Sequence, residues 1–195
     1  MNVKELMIKR HALLEGHFCL SSGKHSDQYF QCAKATEYPE DAEFIASQIA
    51  KKLSDAGVEV DVVVGPAMGG IIIGYELARA LKVRSVFTER VEGKMTFRRG
   101  FRIEEGERVL ICEDVITTGK SSMETAKVIE EMGGKVVGIG AIVDRTVDKV
   151  ELPIYAAIHE EAKLFEADAC PLCEKNIPIE KPGSRFLKKW LELIL

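Results

Sequence analysis

At 195 residues the chain has room for one domain, and a content of 46% hydrophobic and 30% charged residues excludes a disordered or low-complexity protein. A formal charge of -4 excludes a wholesale nucleic-acid binder, which needs a basic excess to displace counterions from phosphate. No apolar run nears the ~20 residues that span a bilayer, no leader-like stretch follows Met1, and five cysteines do not make a disulfide scaffold, so the expectation is a cytoplasmic protein with free thiols and no membrane or nucleic-acid partner.

Taken in chain order, residues 40–56 carry apolar side chains at three-to-four spacing with Gly57 as the stop, which predicts an amphipathic helix. Residues 58–64 are continuously apolar and β-branched, as in a strand covered on both faces, and end at Gly65-Pro66. Residues 69–81 read as a helix packed closely through its glycines, and 83–88 as a short strand. Residues 89–107 are charged and glycine-containing with little periodicity, which predicts a long functional loop or mobile hairpin. Residues 109–112 form another apolar strand, a helix follows over 121–131 up to Gly133-Gly134, and 136–143 give a further buried strand ending at Asp144-Arg145. Strands alternating with helices across short turns make the fold class α/β, with a central, mostly parallel sheet flanked by helices. Ligands of such sheets bind at the carboxyl ends of strands, which here carry the 65–70 turn, Glu113-Asp114 and Asp144-Arg145.

The turn Glu113-Asp114-Val115-Ile116-Thr117-Thr118-Gly119-Lys120-Ser121-Ser122 holds the chemistry, within a strand, turn and helix start over 108–122. A helix N-terminus offers unpaired N–H groups and the positive end of a dipole, and the hydroxyls of Thr117, Thr118 and Ser121 add donors for a phosphate dianion. Gly119 permits a close approach that a β-carbon would hinder. Two carboxylates repel phosphate but accept hydrogen bonds from sugar hydroxyls, so the ligand expected here is a sugar phosphate. An ordinary capped turn explains neither the two adjacent acids nor their place at the end of an apolar strand. Gly119-Lys120-Ser121 is not a Walker-type loop, because Asp114 stands where that motif needs glycine.

Val109-Leu110-Ile111-Cys112-Glu113-Asp114-Val115-Ile116-Thr117-Thr118-Gly119 resembles the 5-phosphoribosyl-1-pyrophosphate (PRPP) signature of the type I phosphoribosyltransferases. Within that family the likeness is to the orotate-using members, and it extends to Leu20-Ser21-Ser22-Gly23-Lys24-His25-Ser26 with Tyr29-Phe30, to Gly65-Pro66-Ala67 and to Asp144-Arg145. The resemblance implies a single domain over 1–195 with an N-terminal hood (about 1–38), a C-terminal tail (about 165–195) and a mobile loop. It implies transfer of the phosphoribosyl group from PRPP to orotate, in pyrimidine synthesis, with Mg²⁺ entering on PRPP rather than on protein ligands. Glu113 and Asp114 would meet the ribose hydroxyls, and Val115 to Ser121 the 5-phosphate. Ala67, Met68, Gly69 and Gly70 would form the pyrophosphate loop, with glycine at 69 where many relatives have lysine. Tyr29, Phe30, Thr117, Arg145 and Lys24 would hold orotate, Lys24 standing in for a lysine that is Ser21 here. Arg90 and Lys94, on a loop that also carries Arg98, Arg99 and Arg102 but no histidine, would clamp the leaving group across a homodimer interface. The same fold also serves transferases for other bases and PRPP-sensing regulators, but the first 35 or so residues hold no basic recognition helix.

Cys170-Pro171-Leu172-Cys173 is left over. Its spacing suits half of a zinc site, a redox pair, or a tight turn with ordinary thiols. A zinc site would need two more ligands, from His159, another cysteine or a second subunit.

Overall fold

The computed structural model describes residues 1–20, 23–161 and 163–182. Helix α1 (Val3–Lys9) starts at a reciprocal capping box between Asn2 and Glu5. Strands β1 (Leu13–Cys19) and β2 (His25–Phe30) follow as an antiparallel hairpin, and α2 (Ala33–Thr36) leads into α3 (Pro39–Asp55). Proline at the first helical position and Glu40 and Asp41 in the first turn suit the start of α3, and its apolar stripe of Ile45, Ile49 and Leu53 is buried. The expected helix over 40–56 is displaced by one residue at each end.

Next come β3 (Val62–Pro66), α4 (Gly69–Leu81), β4 (Arg84–Val91), β5 (Lys94–Phe97), β6 (Arg108–Ile116), α5 (Lys120–Glu131), β7 (Lys135–Asp144) and β8 (Ile154–His159). These strands form one sheet in the order β5-β4-β3-β6-β7-β8, parallel except for β5. The chain leaves β3 toward β4 on one side and returns to β6 on the other. The sheet therefore reverses its winding between β3 and β6, and the loops after these two strands diverge around a crevice. A second sheet, β1-β2-β9, is completed by β9 (Leu164–Phe165), and α6 (Pro171–Glu174) follows. The segment at 164–165 thus pairs with the N-terminal hairpin. Ser21, Ser22 and the tail from 183 onward lie outside the described residues.

Alternation along the strands divides the core in two. Val63, Leu110 and Cys112 pack with Ile45, Ile49, Ile73 and Leu77 of α3 and α4, whereas Val62, Val64, Val109 and Ile111 pack with Ala126 and Ile129 of α5. Burial on both faces explains the unbroken apolar runs.

Several expected boundaries move. The strand expected over 58–64 is Val62–Pro66, because pairing with β6 opens only where the Asp61 N–H donates to the Arg108 carbonyl at 2.8 Å. The 83–88 strand runs on to Val91 because it turns at Glu92-Gly93, both with positive φ, and pairs back along β5; the 89–107 segment is a hairpin followed by a non-repetitive stretch. Most consequentially, β6 continues to Ile116 beside β7, so the acid pair lies within a strand rather than after one.

The start of α4 rests directly on β3 and β6. A Cβ at Gly65 would lie 2.3 Å from the Gly70 carbonyl oxygen, and one at Gly70 would lie 2.3 Å from that of Cys112. Both obstacles are backbone, so neither can swing aside. Gly65→Ala should therefore cost about 2–3 kcal/mol, the upper range for overpacking. Urea unfolding checks this, and an unchanged midpoint would contradict it.

Candidate active site

Strand alternation sends Glu113 and Asp114 to opposite faces of the sheet. Glu113 follows Val109 and Ile111 toward α5, where its Oε1 accepts hydrogen bonds from Ser121 Oγ at 2.6 Å and Ser122 Oγ at 3.3 Å. Asp114 follows Leu110 and Cys112 toward α4. Its Oδ1 accepts the Val115 N–H at 2.8 Å, and its carboxylate lies so close to Gly69 that a Cβ there would be 2.4 Å from Oδ2. The two acids share a strand end but not a set of partners.

Gly119 takes φ 69°, the left-handed conformation that its lack of a side chain permits, and α5 begins directly after it with no side-chain cap. Thr118 Oγ1 accepts from Lys120 N–H at 3.4 Å, and Thr117, Thr118 and Lys120 are exposed. A pocket of about 340 Å³ sits over this helix start, lined by residues 115–122 and by Arg90. Arg90 reaches it from β4, with its guanidinium bonded to Glu124 at 2.5 Å and to the Gly93 carbonyl at 2.6 Å. Uncapped N–H groups, hydroxyls and a guanidinium around one hollow suit a phosphate. Lys94 is exposed at the start of β5 and does not line this pocket.

The 66–70 turn is held by Ala67 N–H donating to the Thr88 carbonyl at 2.8 Å, its Ala67–Met68 peptide is cis, and Met68 is exposed. It faces the 113–119 turn across the crevice between β3 and β6. Arg145 joins the same edge from the end of β7, where its N–H donates to the Ile116 carbonyl at 2.8 Å.

Arg145 is 3% exposed, and its guanidinium lies 5.2 Å from the Phe30 ring centroid. Its only side-chain hydrogen bonds among the described residues are long, at 3.4 Å to the Gln28 carbonyl and to Ser26 Oγ, and Nε has no partner. Burial pulls its pKa below the usual value, with Asp27 and Glu160 opposing. Tyr29 is half-buried and stacks on Phe18 at 5.8 Å; burial and then the nearby Asp114 raise its phenol pKa. Lys24 forms an ion pair with Glu166 at 2.7 Å. Ser21 falls outside the described residues. Cys170 and Cys173 come together with His17 and His25, not with His159, whose Nδ1 bonds Asp144 at 3.1 Å.

Residues 36–169 match the model of the phosphoribosyl transferase domain. The chain belongs to the phosphoribosyltransferase family. It is 53% identical over 176 residues, 89% of its length and 92% of the relative's, to orotate phosphoribosyltransferase of Caldicellulosiruptor bescii. The crystal structure of orotate phosphoribosyltransferase from Aeropyrum pernix aligns with a TM-score of 0.66 at 22% identity over 80% of this chain and 93% of that one. Adenine phosphoribosyltransferase from Thermoanaerobacter pseudethanolicus aligns with 0.59 at 20% identity over 68% and 88%. At such identities the structural likeness speaks for the fold, which is shared by enzymes for different bases.

Within this phosphoribosyltransferase fold, Gln28 and Glu124 are site neighbours that sequence reasoning did not single out. Neither had a local signal, since only the fold brings Gln28 of β2 to Arg145 and Glu124 of α5 to Arg90.

Burial pushes the Glu113 carboxyl from the usual 4.5 up to about 7, with the bonds from Ser121 and Ser122 opposing and Asp114 adding to the rise. Burial raises Asp114 as well. The folded chain therefore holds the Glu113 proton up to about pH 7, whereas the unfolded chain releases it near 4.5. Across that window the folded state binds more protons, and stability falls as pH rises. Glu113→Gln removes the titration, so its unfolding free energy should gain on that of the parent chain by up to about 3 kcal/mol between pH 5 and pH 8. Parallel urea unfolding at several pH values measures this, and a constant difference would show that Glu113 does not titrate there.

Proposed function

We propose that the chain transfers the 5-phosphoribosyl group of PRPP to orotate, giving orotidine 5-monophosphate and pyrophosphate in pyrimidine synthesis. The observation that carries orotate as the acceptor is the buried Arg145 guanidinium. Among the described residues it has no ion-pair partner, its Nε is unbonded and its two hydrogen bonds are long, so a ligand carboxylate would gain a desolvated, charge-assisted partner. Phe30 beneath the guanidinium and the half-buried Tyr29 supply flat apolar surface beside it for a pyrimidine ring.

The 5-phosphate is assigned to the start of α5, through the N–H groups and hydroxyls of residues 117–121, and the ribose hydroxyls to Asp114. Glu113 orients Ser121 from behind and reaches the sugar only by exchanging that bond. The pyrophosphate is assigned to the backbone of 67–70, where Gly69 leaves room for the Asp114 carboxylate, and Arg90, which lines the pocket over α5, is assigned to the 5-phosphate. Lys94, exposed at the tip of the hairpin, is assigned to the site of a second copy in a homodimer, and Arg90 to the pocket of its own chain.

The transition state separates an anomeric carbon with developing positive charge from a highly charged leaving group. Mg²⁺ bound to PRPP would neutralise that leaving group, and the carboxylate oxygens at the strand end suit the neighbourhood of such a hard cation. Asp114 fixes the ribose and its negative charge favours the cationic carbon. Arg90 holds charge at the phosphate side. The all-free cysteines accord with a cytoplasmic site of action.

Incubation with PRPP, Mg²⁺ and orotate should consume orotate and release pyrophosphate, and adenine in place of orotate should release none. Asp114→Asn should lower turnover by about 10²-fold, in the range for loss of one preorganised electrostatic contact, while the urea midpoint stays near that of the parent. A near-parental rate would remove Asp114 from the reaction. Arg145→Lys should raise the KM for orotate at least tenfold and that for PRPP little, since a point charge cannot reproduce a bidentate fork. Equal effects on both substrates would place Arg145 elsewhere in the mechanism.

A further inference from the structure

Four residues that the transfer reaction does not use meet at the base of the β1-β2-β9 sheet. His17 lies in β1 and His25 opens β2. Cys170 caps α6 and Cys173 lies within its single turn, with Pro171 between them at the first helical position. The two cysteines are separated from the histidines by roughly 150 positions, yet one ligand atom from each of the four residues lies within 4.8 Å of every other.

The spacing fits a particular geometry. Tetrahedral zinc with Zn–S of about 2.3 Å and Zn–N of about 2.0–2.1 Å sets sulfur and nitrogen about 3.5 Å apart and two nitrogens about 3.3 Å apart. Here Cys170 Sγ is 3.6 Å and Cys173 Sγ 3.7 Å from His17 Nε2, Cys173 Sγ is 3.4 Å from His25 Nδ1, and the two ring nitrogens are 3.0 Å apart. The tautomer of His17 is also set. Its Nδ1 lies 2.8 Å from the Ile177 carbonyl, which can only accept, so Nδ1 carries the proton and the Nε2 lone pair points at the cluster. Cys170, His17 and His25 are buried, and Cys173 is exposed at the rim, which leaves a route for an ion to enter. A disulfide between the cysteines alone would give this lone pair no partner among them.

We propose that His17, His25, Cys170 and Cys173 bind one structural zinc ion that fastens the β1–β2 hairpin to the chain beyond β9. Two thiolates and two imidazoles form a closed set with a preference for zinc over harder ions, and binding releases the two thiol protons to solvent. With four protein ligands no position is open for a substrate. The role is mechanical: β9 is only two residues long, and beyond it the main chain meets β1 at Glu180, whose N–H donates to the His17 carbonyl at 2.7 Å and whose carbonyl accepts from the Cys19 N–H at 2.8 Å, so few main-chain bonds tie this stretch to the hairpin, while β2 carries Ser26, Gln28 and Phe30 to Arg145. The ion completes what the short strand leaves weak.

The test uses the full chain without an affinity tag, purified under reducing conditions and dialysed against metal-free buffer. Mass spectrometry of the metal content should find about one zinc per chain, as for a closed four-ligand site. Cobalt(II) replacing zinc should show the intense visible bands of a tetrahedral site together with thiolate-to-metal charge transfer. Cys173→Ser, at an exposed position, should lose at least 90% of the zinc and unfold at lower temperature than the parent, whereas His159→Ala should keep the full complement. A parent chain that holds no zinc and takes up none when zinc chloride is added would overturn the proposal, as would a cobalt spectrum without thiolate bands or full zinc content in Cys173→Ser. Metal content is read without substrates, so its failure is distinguishable from failure of the orotate reaction.

Discussion

The site depends on how closely the 65–70 turn approaches β6. A β-carbon at Gly65, Gly69 or Gly70 would stand 2.3–2.4 Å from atoms of the facing backbone or of Asp114. Three such contacts within six residues mean that α4 begins almost against the strand next to its own. The approach closes the crevice at the point where the sheet reverses its winding, and brings a backbone loop, a carboxylate and a helix N-terminus to one place. Any larger side chain at these positions would push α4 outward and open the two turns apart. A lysine at 69 could not be added here without moving Asp114, so the missing cation and the tight seat of the acid are one feature. On the proposed assignment, the pyrophosphate side draws its positive charge from the β4–β5 hairpin instead.

The second constraint is the period of two along β6. It gives the adjacent acids different chemistry from the same strand end. Glu113, turned into the α5 side and bonded to Ser121 and Ser122, is desolvated and holds its proton to near neutrality. Asp114, turned to the crevice and half-buried, has only a backbone donor on one oxygen and keeps its other oxygen for a ligand. One carboxyl fastens the start of α5, proposed to receive the phosphate; the other faces the crevice, where the sugar is proposed to lie.

Much of this was legible in the sequence because it is local. The apolar stripe of 45, 49 and 53 made α3 readable, and the unbroken runs at 62–64 and 109–112 reported strands covered on both faces. The phosphate turn was readable for the same reason: its hydroxyls, its glycine and its acids are contiguous. The split of Glu113 from Asp114 was hidden because charge ended the apolar run at Cys112, while pairing with β7 carries the strand on to Ile116. What the chain brings together over long distances left no local trace. His17 and His25 do not announce Cys170 and Cys173, and His159, nearer in sequence to the cysteines, is instead held by Asp144.

Arg145 joins these levels. A guanidinium fixed at the end of β7 by its own backbone bond to Ile116 is charged at any ordinary pH, and burying it costs free energy that two 3.4 Å hydrogen bonds recover poorly. The groups around it come from β2, on the smaller sheet, so the depth of its burial is set by how firmly that sheet sits on the larger one. Loosening the hairpin would let water reach the guanidinium and lower the gain from pairing it with a ligand carboxylate, because charge-assisted bonds strengthen as the site dries. On the proposed assignment of Arg145, base recognition becomes a property of the contact between the two sheets. The phosphate turn, built from one strand and one helix of the larger sheet, has no such dependence, and the two halves of the substrate pair are held by parts of the fold that can vary separately.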